Sequence, residues 1–184
     1  TAADIDEAAV RIAASFHVTP LEYSDRLSVA TGAEVYLKRE DLQSVRSYKL
    51  RGAYNPLQQL SEDELRLGVV CSSAGNHAQG FALACRTMKV HGRVYVPAKT
   101  PKQKRDRIRY HGGEFIEVIV GGSTYDDAAD AAITDVARTG ATLVPPYDDP
   151  RTMAGQGTIA VEILEQLGRE PDLVVVPSAY AAAP

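Results

Sequence analysis

Short runs of apolar and β-branched residues alternate with longer helical patterns from residue 69 onward. Four runs have the length and composition of buried strands, at residues 69–71, 93–96, 115–120 and 142–144. Helices are predicted between them, at residues 76–89, from Pro101 in a first turn to the Gly112-Gly113 pair, and at residues 124–138. Strands separated by helices of about 10–15 residues need crossover connections, which build parallel sheets. The predicted fold class is therefore α/β, with parallel or mostly parallel sheets and helices on both faces.

The segments on either side of this central region are patterned differently. At the N-terminal end, the pattern predicts a helix at residues 4–14 and an alternating strand at residues 34–38. At the other end, it predicts a helix at residues 155–167 and a buried strand at residues 173–176. Neither flank makes a complete domain by itself.

Composition argues against several classes of function. The chain has 184 residues, of which 45% are hydrophobic and 24% are charged, and its net charge of −4 is that of an ordinary soluble protein. The acidic balance argues against a general affinity for nucleic acid or for an anionic membrane. No segment resembles a signal peptide and no apolar run approaches the ~20 residues that span a bilayer, so we expect a cytoplasmic protein. Cys71 and Cys85 have neither zinc-site nor redox-motif spacing, and we expect buried, reduced thiols.

Two polar segments carry the candidate chemistry. The first surrounds Lys49, at residues 47–53, and the second is the run at residues 72–80. A partly desolvated lysine amine can attack a carbonyl carbon and form a Schiff base. The second segment falls where a strand ends and a helix begins, a geometry that presents free backbone N–H groups to an anion. Taken singly, each segment has a plainer interpretation: a solvated lysine, and a helix N-cap beside an exposed His77.

Five stretches of the sequence resemble one enzyme family. They lie at residues 36–43, 47–55, 73–80, 94–122 and 155–160, within a resemblance that extends over residues 4–177. The sequence is similar there to the pyridoxal-phosphate (PLP) enzymes of the tryptophan-synthase-β-like fold, and in particular to threonine dehydratases. The resemblance implies a two-domain PLP-lyase fold with the cofactor in the cleft between the domains. We expect the smaller α/β domain at residues 65–143, and parts of the larger domain at residues 1–64 and 144–184.

The resemblance also implies roles for the two polar segments. Lys49 would form the Schiff base with PLP and then remove the Cα proton of a small amino-acid substrate. Tyr48 and Asn76 would bind the cofactor with it, with the Asn76 amide beside the ring hydroxyl. The substrate would be bound by the segment that follows the strand, which comprises Ser73, Ala74, Gly75, Asn76 and His77. The implied reaction is dehydration and deamination of L-threonine to 2-oxobutanoate and ammonia, and also of L-serine, in a homo-oligomer.

The sequence departs from this family at its C-terminal end. Where the family has a glycine-rich loop that binds the PLP phosphate, residues 178–184 read Ser-Ala-Tyr-Ala-Ala-Ala-Pro. Losing several charge-assisted hydrogen bonds, each contributing roughly 1.5–3 kcal/mol, would weaken cofactor binding by orders of magnitude. We therefore interpret the chain as a truncated threonine dehydratase, with an incomplete larger domain, that need not be active by itself. Pro56 is a second departure, since it would kink or shorten the helix that carries Lys49.

Two other functions stay open. One is a serine racemase or another β-eliminating enzyme of the same fold, and the other is a non-catalytic α/β fragment that binds a partner at an uncovered sheet edge.

Residues 155–160 match a dinucleotide fingerprint but follow no strand, so we interpret them as a helix opening packed against the sheet. The basic run at residues 99–109 is interpreted as a solvated helix surface. His17, His91 and His111 are interpreted as turn residues without metal-ligand partners.

Overall fold

The computed structural model describes residues 1–176. Within them the helices are α1 (Ala2–Ile12), α2 (Asp25–Thr31), α3 (Lys49–Leu57), α4 (Glu62–Leu67), α5 (Asn76–Met88), α6 (Lys102–Gly112), α7 (Tyr125–Thr139) and α8 (Pro150–Leu167). The strands are β1 (Leu21–Tyr23), β2 (Tyr36–Lys38), β3 (Val69–Ser72), β4 (Gly92–Val96), β5 (Ile116–Val120) and β6 (Thr142–Leu143). From β3 to β6, the predicted strand boundaries lie within one residue of the observed ones. None of these helices is long and apolar enough to cross a bilayer.

Four strands form one parallel sheet, in the order β5-β4-β3-β6. Alternate residues of the central strand β3 face opposite sides of this sheet. Val69 and Cys71 join the core on the side of α5, whereas Val70 packs with Ala132 of α7 on the other side. Helices therefore cover both faces, and the predicted α/β class is confirmed. Cys71 and Cys85 are free and buried, as predicted.

The two flanks of the chain pack on each other. Helix α1 begins where the Thr1 hydroxyl and the Asp4 carboxylate form a capping box, and its buried face lies against α8 and α3. A small antiparallel sheet pairs β1 with β2, with Leu21 opposite Lys38. Contacts between residues far apart in sequence therefore enclose α3 between the N-terminal and C-terminal flanks. The predicted division into two domains stays a prediction.

Helix α8 begins at Pro150 and not at residue 155. Asp149 accepts hydrogen bonds from N–H groups of the first turn, and Pro150 occupies its first position, which together make a strong start signal. Residues 155–160 are therefore helix interior, and their interpretation as a helix opening packed against the sheet is wrong. Gly155 packs instead on α3, where an added Cβ would lie 2.5 Å from the Arg51 carbonyl oxygen.

Residues 173–176 form no strand, so that prediction is wrong. Their four apolar side chains are 57–82% exposed. A strand needs hydrogen bonds to a neighbouring strand, and no segment within residues 1–176 supplies them at this place. Residues 178–184, where the sequence lacks the family's glycine-rich loop, lie outside the described residues.

Helix α6 exposes most of the basic run, as predicted. Pro101 is the N-cap of this helix and lies just before its first turn. His111 is buried in the last turn, so its interpretation as a turn residue is wrong. Its position follows from helix geometry, because Ile108 lies three residues earlier on the same buried face.

Candidate active site

Lys49 is the first residue of α3, and its amine lies among uncharged groups. The Ser47 hydroxyl accepts a hydrogen bond from the Lys49 backbone N–H at 3.1 Å, which caps the first turn. The side chain is half-buried, and Nζ donates to the carbonyl oxygen of Pro146 at 3.1 Å. Nζ also lies 5.5 Å from the centre of the Tyr48 ring. The interpretation of Lys49 as a solvated surface lysine is therefore wrong.

Burial lowers the pKa of the Lys49 amine below its ordinary value, because the charged form loses solvation. No carboxylate in the described part of the chain forms an ion pair with this amine and opposes the effect. The positive end of the α3 dipole acts in the same direction as burial. A lowered pKa increases the fraction of neutral amine near pH 7, which is the form that attacks a carbonyl carbon.

Pro56 does not disturb this end of α3. It is the last residue but one of the helix, which ends at Leu57. The predicted kinking or shortening of the helix by Pro56 stays a prediction. Lys49 lies about two turns away, so its direction does not depend on the proline.

The second predicted segment joins β3 to α5 and leaves backbone N–H groups free. Gly75 is the N-cap of α5, and no side chain in the described part of the chain caps this helix. The Gly75 N–H donates to the Ser73 hydroxyl at 3.3 Å, which turns the loop back on itself, with Ala74 between them. A Cβ at Gly75 would meet no atom of residues 1–176 within 4 Å, so these residues leave open space over the loop, beside the exposed Asn76. A helix N-terminus that opens on free space suits an anionic group.

His77 is buried, so the interpretation of this segment as an N-cap beside an exposed histidine is wrong. Its side chain lies inside the protein with Nε2 at 3.2 Å from the Val144 carbonyl oxygen. Because a carbonyl can only accept, the ring donates its Nε2–H. Burial is the main cause that lowers the pKa of His77 to about 4, and the charge of Lys49 adds to it. The imidazole is therefore neutral at physiological pH.

Gly80 brings the two segments together. A Cβ at Gly80 would lie 2.7 Å from the Cα of Leu50, which is too close for any side chain. Helix α5 therefore passes directly over the first turn of α3, and Lys49 is near enough to influence the pKa of His77. The structure thus gathers the predicted site residues in one region, with Tyr48 and Lys49 at the start of α3 and residues 73–77 at the start of α5. Their individual roles stay predictions.

Three residues that contact the candidate site, directly or through one another, escaped the sequence reasoning. Pro146 supplies the carbonyl for Nζ, and the Tyr125 hydroxyl donates to the Ser72 carbonyl oxygen at 3.5 Å. Burial raises the pKa of Tyr125, and a hydrogen bond with Tyr147 raises it further. One signal could have found them. In parallel sheets ligands bind beyond the carboxyl ends of the strands, and these three residues follow β5 and β6.

A buried ion cluster lies two residues further along α3. Arg51 is fully buried and donates to both carboxylate oxygens of Glu40 and of Glu162, at 2.7–2.9 Å. Lys38 reaches Glu162 at 2.5 Å, and the Thr158 hydroxyl lies 3.1 Å from Arg51. Burial alone would lower the pKa of Arg51, but the hydrogen bonds with Glu40 and Glu162 raise it above its ordinary value. The cluster ties β2, α3 and α8 together and so holds the helix that carries Lys49.

These features suit a cofactor that carries an aldehyde and an anionic group. A half-buried amine with a lowered pKa can form a Schiff base with the aldehyde. The uncapped N-terminus of α5 and the open space over Gly75 can receive an anion, such as a carboxylate. The residues present therefore fit PLP with an amino-acid substrate.

Several known proteins are similar to this chain in sequence and in fold. A family model described as pyridoxal-phosphate dependent enzyme matches residues 12–182. The protein named L-threonine dehydratase biosynthetic IlvA in Mycobacterium tuberculosis is 79% identical over 175 residues, or 95% of this chain. A threonine deaminase structure from Solanum lycopersicum has a TM-score of 0.81 at 40% identity, and covers 90% of this chain and 49% of its own. Maize serine racemase has a TM-score of 0.85 at 31% identity, and the match covers 90% and 50%.

The chain spans 41% of the length of the mycobacterial relatives that it matches. The family model nevertheless covers most of the chain, including both polar segments and the ion cluster. The chain therefore belongs to the family of pyridoxal-phosphate dependent enzymes.

Proposed function

We propose that the protein to which this chain belongs is a PLP-dependent lyase that dehydrates and deaminates L-threonine, and also L-serine. With threonine, water leaves first, and hydrolysis of the resulting enamine then releases ammonia and 2-oxobutanoate. One observation carries the proposal: the half-buried Lys49 amine, with its lowered pKa, is held by a neutral carbonyl beside the open start of α5. The 79% identity to a protein named L-threonine dehydratase supports the choice of substrate.

Each residue of the site has a separate task under this proposal. PLP, when bound, withdraws electrons from the substrate Cα and makes its proton acidic. Lys49 binds the cofactor covalently through Nζ and later accepts the Cα proton at the same atom. Residues 73–75 and the backbone N–H of His77 bind the substrate carboxylate at the positive end of the α5 dipole. Tyr48 and Asn76 orient the cofactor, with the Asn76 amide beside its ring hydroxyl.

A serine racemase is the second candidate. The TM-score of 0.85 to the maize enzyme favours it, but the sequence identity of 31% ranks it behind the dehydratase. Both reactions begin with removal of the Cα proton, so Lys49 has the same first task in each. Product analysis with L-serine separates them, since the dehydratase releases pyruvate and ammonia whereas the racemase forms D-serine.

The biological setting is part of the same proposal. The mycobacterial relative is named a biosynthetic enzyme, which supports a role in amino-acid biosynthesis, namely that of isoleucine. We propose that the protein acts in the cytoplasm as a homo-oligomer. Light scattering on the full-length polypeptide that carries this sequence tests the oligomeric state, and a monomer at all concentrations would contradict it.

Borohydride trapping tests the central role of Lys49. The full-length polypeptide is mixed with PLP, reduced with borohydride, digested and mapped by mass spectrometry. We expect one PLP group per chain, attached at Lys49, and no attachment in Lys49→Ala. Lys102→Ala, which removes a lysine with an exposed side chain on α6, is the matched control and should label like the parent. Label at another residue, or none, would contradict the proposal and favour the non-catalytic fragment.

A further inference from the structure

Three successive carbonyl groups between β6 and α8 each accept a hydrogen bond from a different side chain. His77 Nε2 lies 3.2 Å from the carbonyl oxygen of Val144. The Thr152 hydroxyl donates to that of Pro145 at 3.2 Å. Lys49 Nζ donates to that of Pro146 at 3.1 Å. The candidate Schiff-base lysine therefore shares one short backbone segment, Val144-Pro145-Pro146, with a buried histidine and a buried threonine.

This segment is stiff. The Val144 N–H donates to the Val70 carbonyl oxygen at 2.8 Å, which fixes the start of the segment to the parallel sheet. Each of the two prolines that follow has its φ angle fixed by its ring. A change in the orientation of the Val144 carbonyl is therefore passed along the backbone to Pro146, where few torsions remain to absorb it.

Packing alone does not explain a histidine at position 77. The side chain is buried, and Nδ1 has no hydrogen-bond partner within residues 1–176. A buried polar atom without a partner is unfavourable, and an apolar side chain of similar size would avoid it. The one hydrogen bond that the ring makes, to Val144, is therefore the feature that sets histidine apart from leucine at this position.

We infer that the His77 side chain is a positioning residue for Lys49, which acts through the Val144-Pro145-Pro146 segment. Its neutral ring holds the Val144 carbonyl, the segment holds the Pro146 carbonyl, and that oxygen holds the Lys49 amine in the half-buried place where it reacts. This side-chain role is distinct from the backbone role of His77 toward substrate. It deepens the proposed function, on which its importance for catalysis rests.

The test compares His77→Leu with His77→Gln in the full-length polypeptide. Glutamine carries an amide N–H at nearly the same reach as Nε2, so it can still donate to Val144, whereas leucine cannot. In His77→Leu we expect PLP trapping at Lys49 to slow by about 10- to 100-fold, the range expected when a reacting group is displaced by about 1 Å. His77→Gln should restore most of the parent rate. Two equally slow variants would overturn the inference.

A second readout needs no PLP. The pH midpoint of Lys49 acetylation, followed by peptide mass spectrometry, reports how strongly the amine is desolvated. We expect the midpoint to rise in His77→Leu, because an amine released from Pro146 gains solvent, and to return in His77→Gln. An unchanged midpoint in His77→Leu would overturn the inference. This readout remains valid even if PLP does not attach to Lys49, which would refute only the proposed function.

Two further variants separate positioning from general stability. His111→Leu removes the buried histidine of α6, which packs near Arg86, about 13 Å along α5 from His77 by helix rise. It should leave both readouts at Lys49 unchanged, and a shift as large as that of His77→Leu would overturn the inference. Thr152→Val removes the middle hydrogen bond of the segment and should move both readouts in the direction of His77→Leu. If His77→Leu does not fold, an unchanged Thr152→Val would overturn the inference instead.

Discussion

Two cations of the first turn of α3, only two residues apart, have opposite surroundings. Arg51 is fully buried between the carboxylates of Glu40 and Glu162, and its pKa lies above the ordinary value. Lys49 is half-buried against neutral groups, among them the Pro146 carbonyl, and its pKa lies below the ordinary value. The same helix therefore carries one compensated and one uncompensated cation.

The difference lies in the neighbouring charges: among the described residues, carboxylates pair with Arg51 and none pairs with Lys49. A guanidinium keeps its proton at any physiological pH, and burying it without carboxylates would cost several kcal/mol. An amine can lose its proton instead, so the absence of a carboxylate partner for Lys49 among residues 1–176 favours the neutral and reactive form. The ion pairs of Arg51 fix the position of α3, and Lys49 is positioned because it lies on the same helix.

Removing the compensated cation is expected to have the largest effect on stability. Arg51→Met leaves Glu40 buried without its arginine partner and Glu162 paired with Lys38 alone, and should lower the free energy of unfolding by about 3–5 kcal/mol. Urea denaturation of the full-length polypeptide measures it. Arg138→Gln is the control, because Arg138 pairs with Asp135 from an exposed position and contributes at most ~1 kcal/mol. Equal losses of unfolding free energy in the two variants would show that the buried cluster of Arg51 contributes no more than an exposed ion pair.

The second largest expected effect on stability concerns His77. Its ring is neutral in the folded protein, so it adds no positive charge near Lys49. The unfolded chain protonates this histidine near pH 6.5, whereas the folded chain does so only near pH 4. Between these values the unfolded state binds more protons, so the free energy of unfolding falls as pH falls, by about 3 kcal/mol in total. His77→Gln should lack this part of the fall. Denaturation midpoints across this pH window test it, and identical slopes in parent and variant would refute it.

Removing the uncompensated cation should have the smallest effect. Lys49→Met replaces a desolvated amine with an apolar chain of similar length, and should change the free energy of unfolding by less than about 1 kcal/mol, toward greater stability. Because the Lys49 pKa is lowered on folding, stability of the parent rises with pH from the folded pKa up to the ordinary value near 10.5, and the variant should lack this rise. A loss comparable to that of Arg51→Met would show that Lys49 is structural.

The sequence allowed most of the central fold to be predicted because its signals are local. Apolar runs and glycine or proline stops place β3 to β6 within one residue. One error has a local cause, because Asp149 and Pro150 form a helix start that outweighs the small residues after it. The other has a tertiary cause, because residues 173–176 have strand composition but no partner strand among residues 1–176.

The sequence was enough to identify the segments of the candidate site, but not the contacts between them. Lys49 and the segment at residues 73–77 stand out because their residue types suit Schiff-base and anion chemistry. Nothing local reveals that Pro146, 97 residues away, receives the amine, or that His77 is buried. The roles of these residues in binding stay predictions until trapping and labelling experiments test them.

By itself, the sequence determined the order of strands and helices from β3 to β6, the α/β class and the residue types available for chemistry, since these depend on neighbours along the chain. Only the tertiary structure decided the charge state of each group. Arg51 meets Glu162 across 111 residues, and Lys49 contacts a carbonyl, so that burial lowers the pKa of its amine. A pKa depends on solvation and on nearby charges in space, and folding alone brings those together.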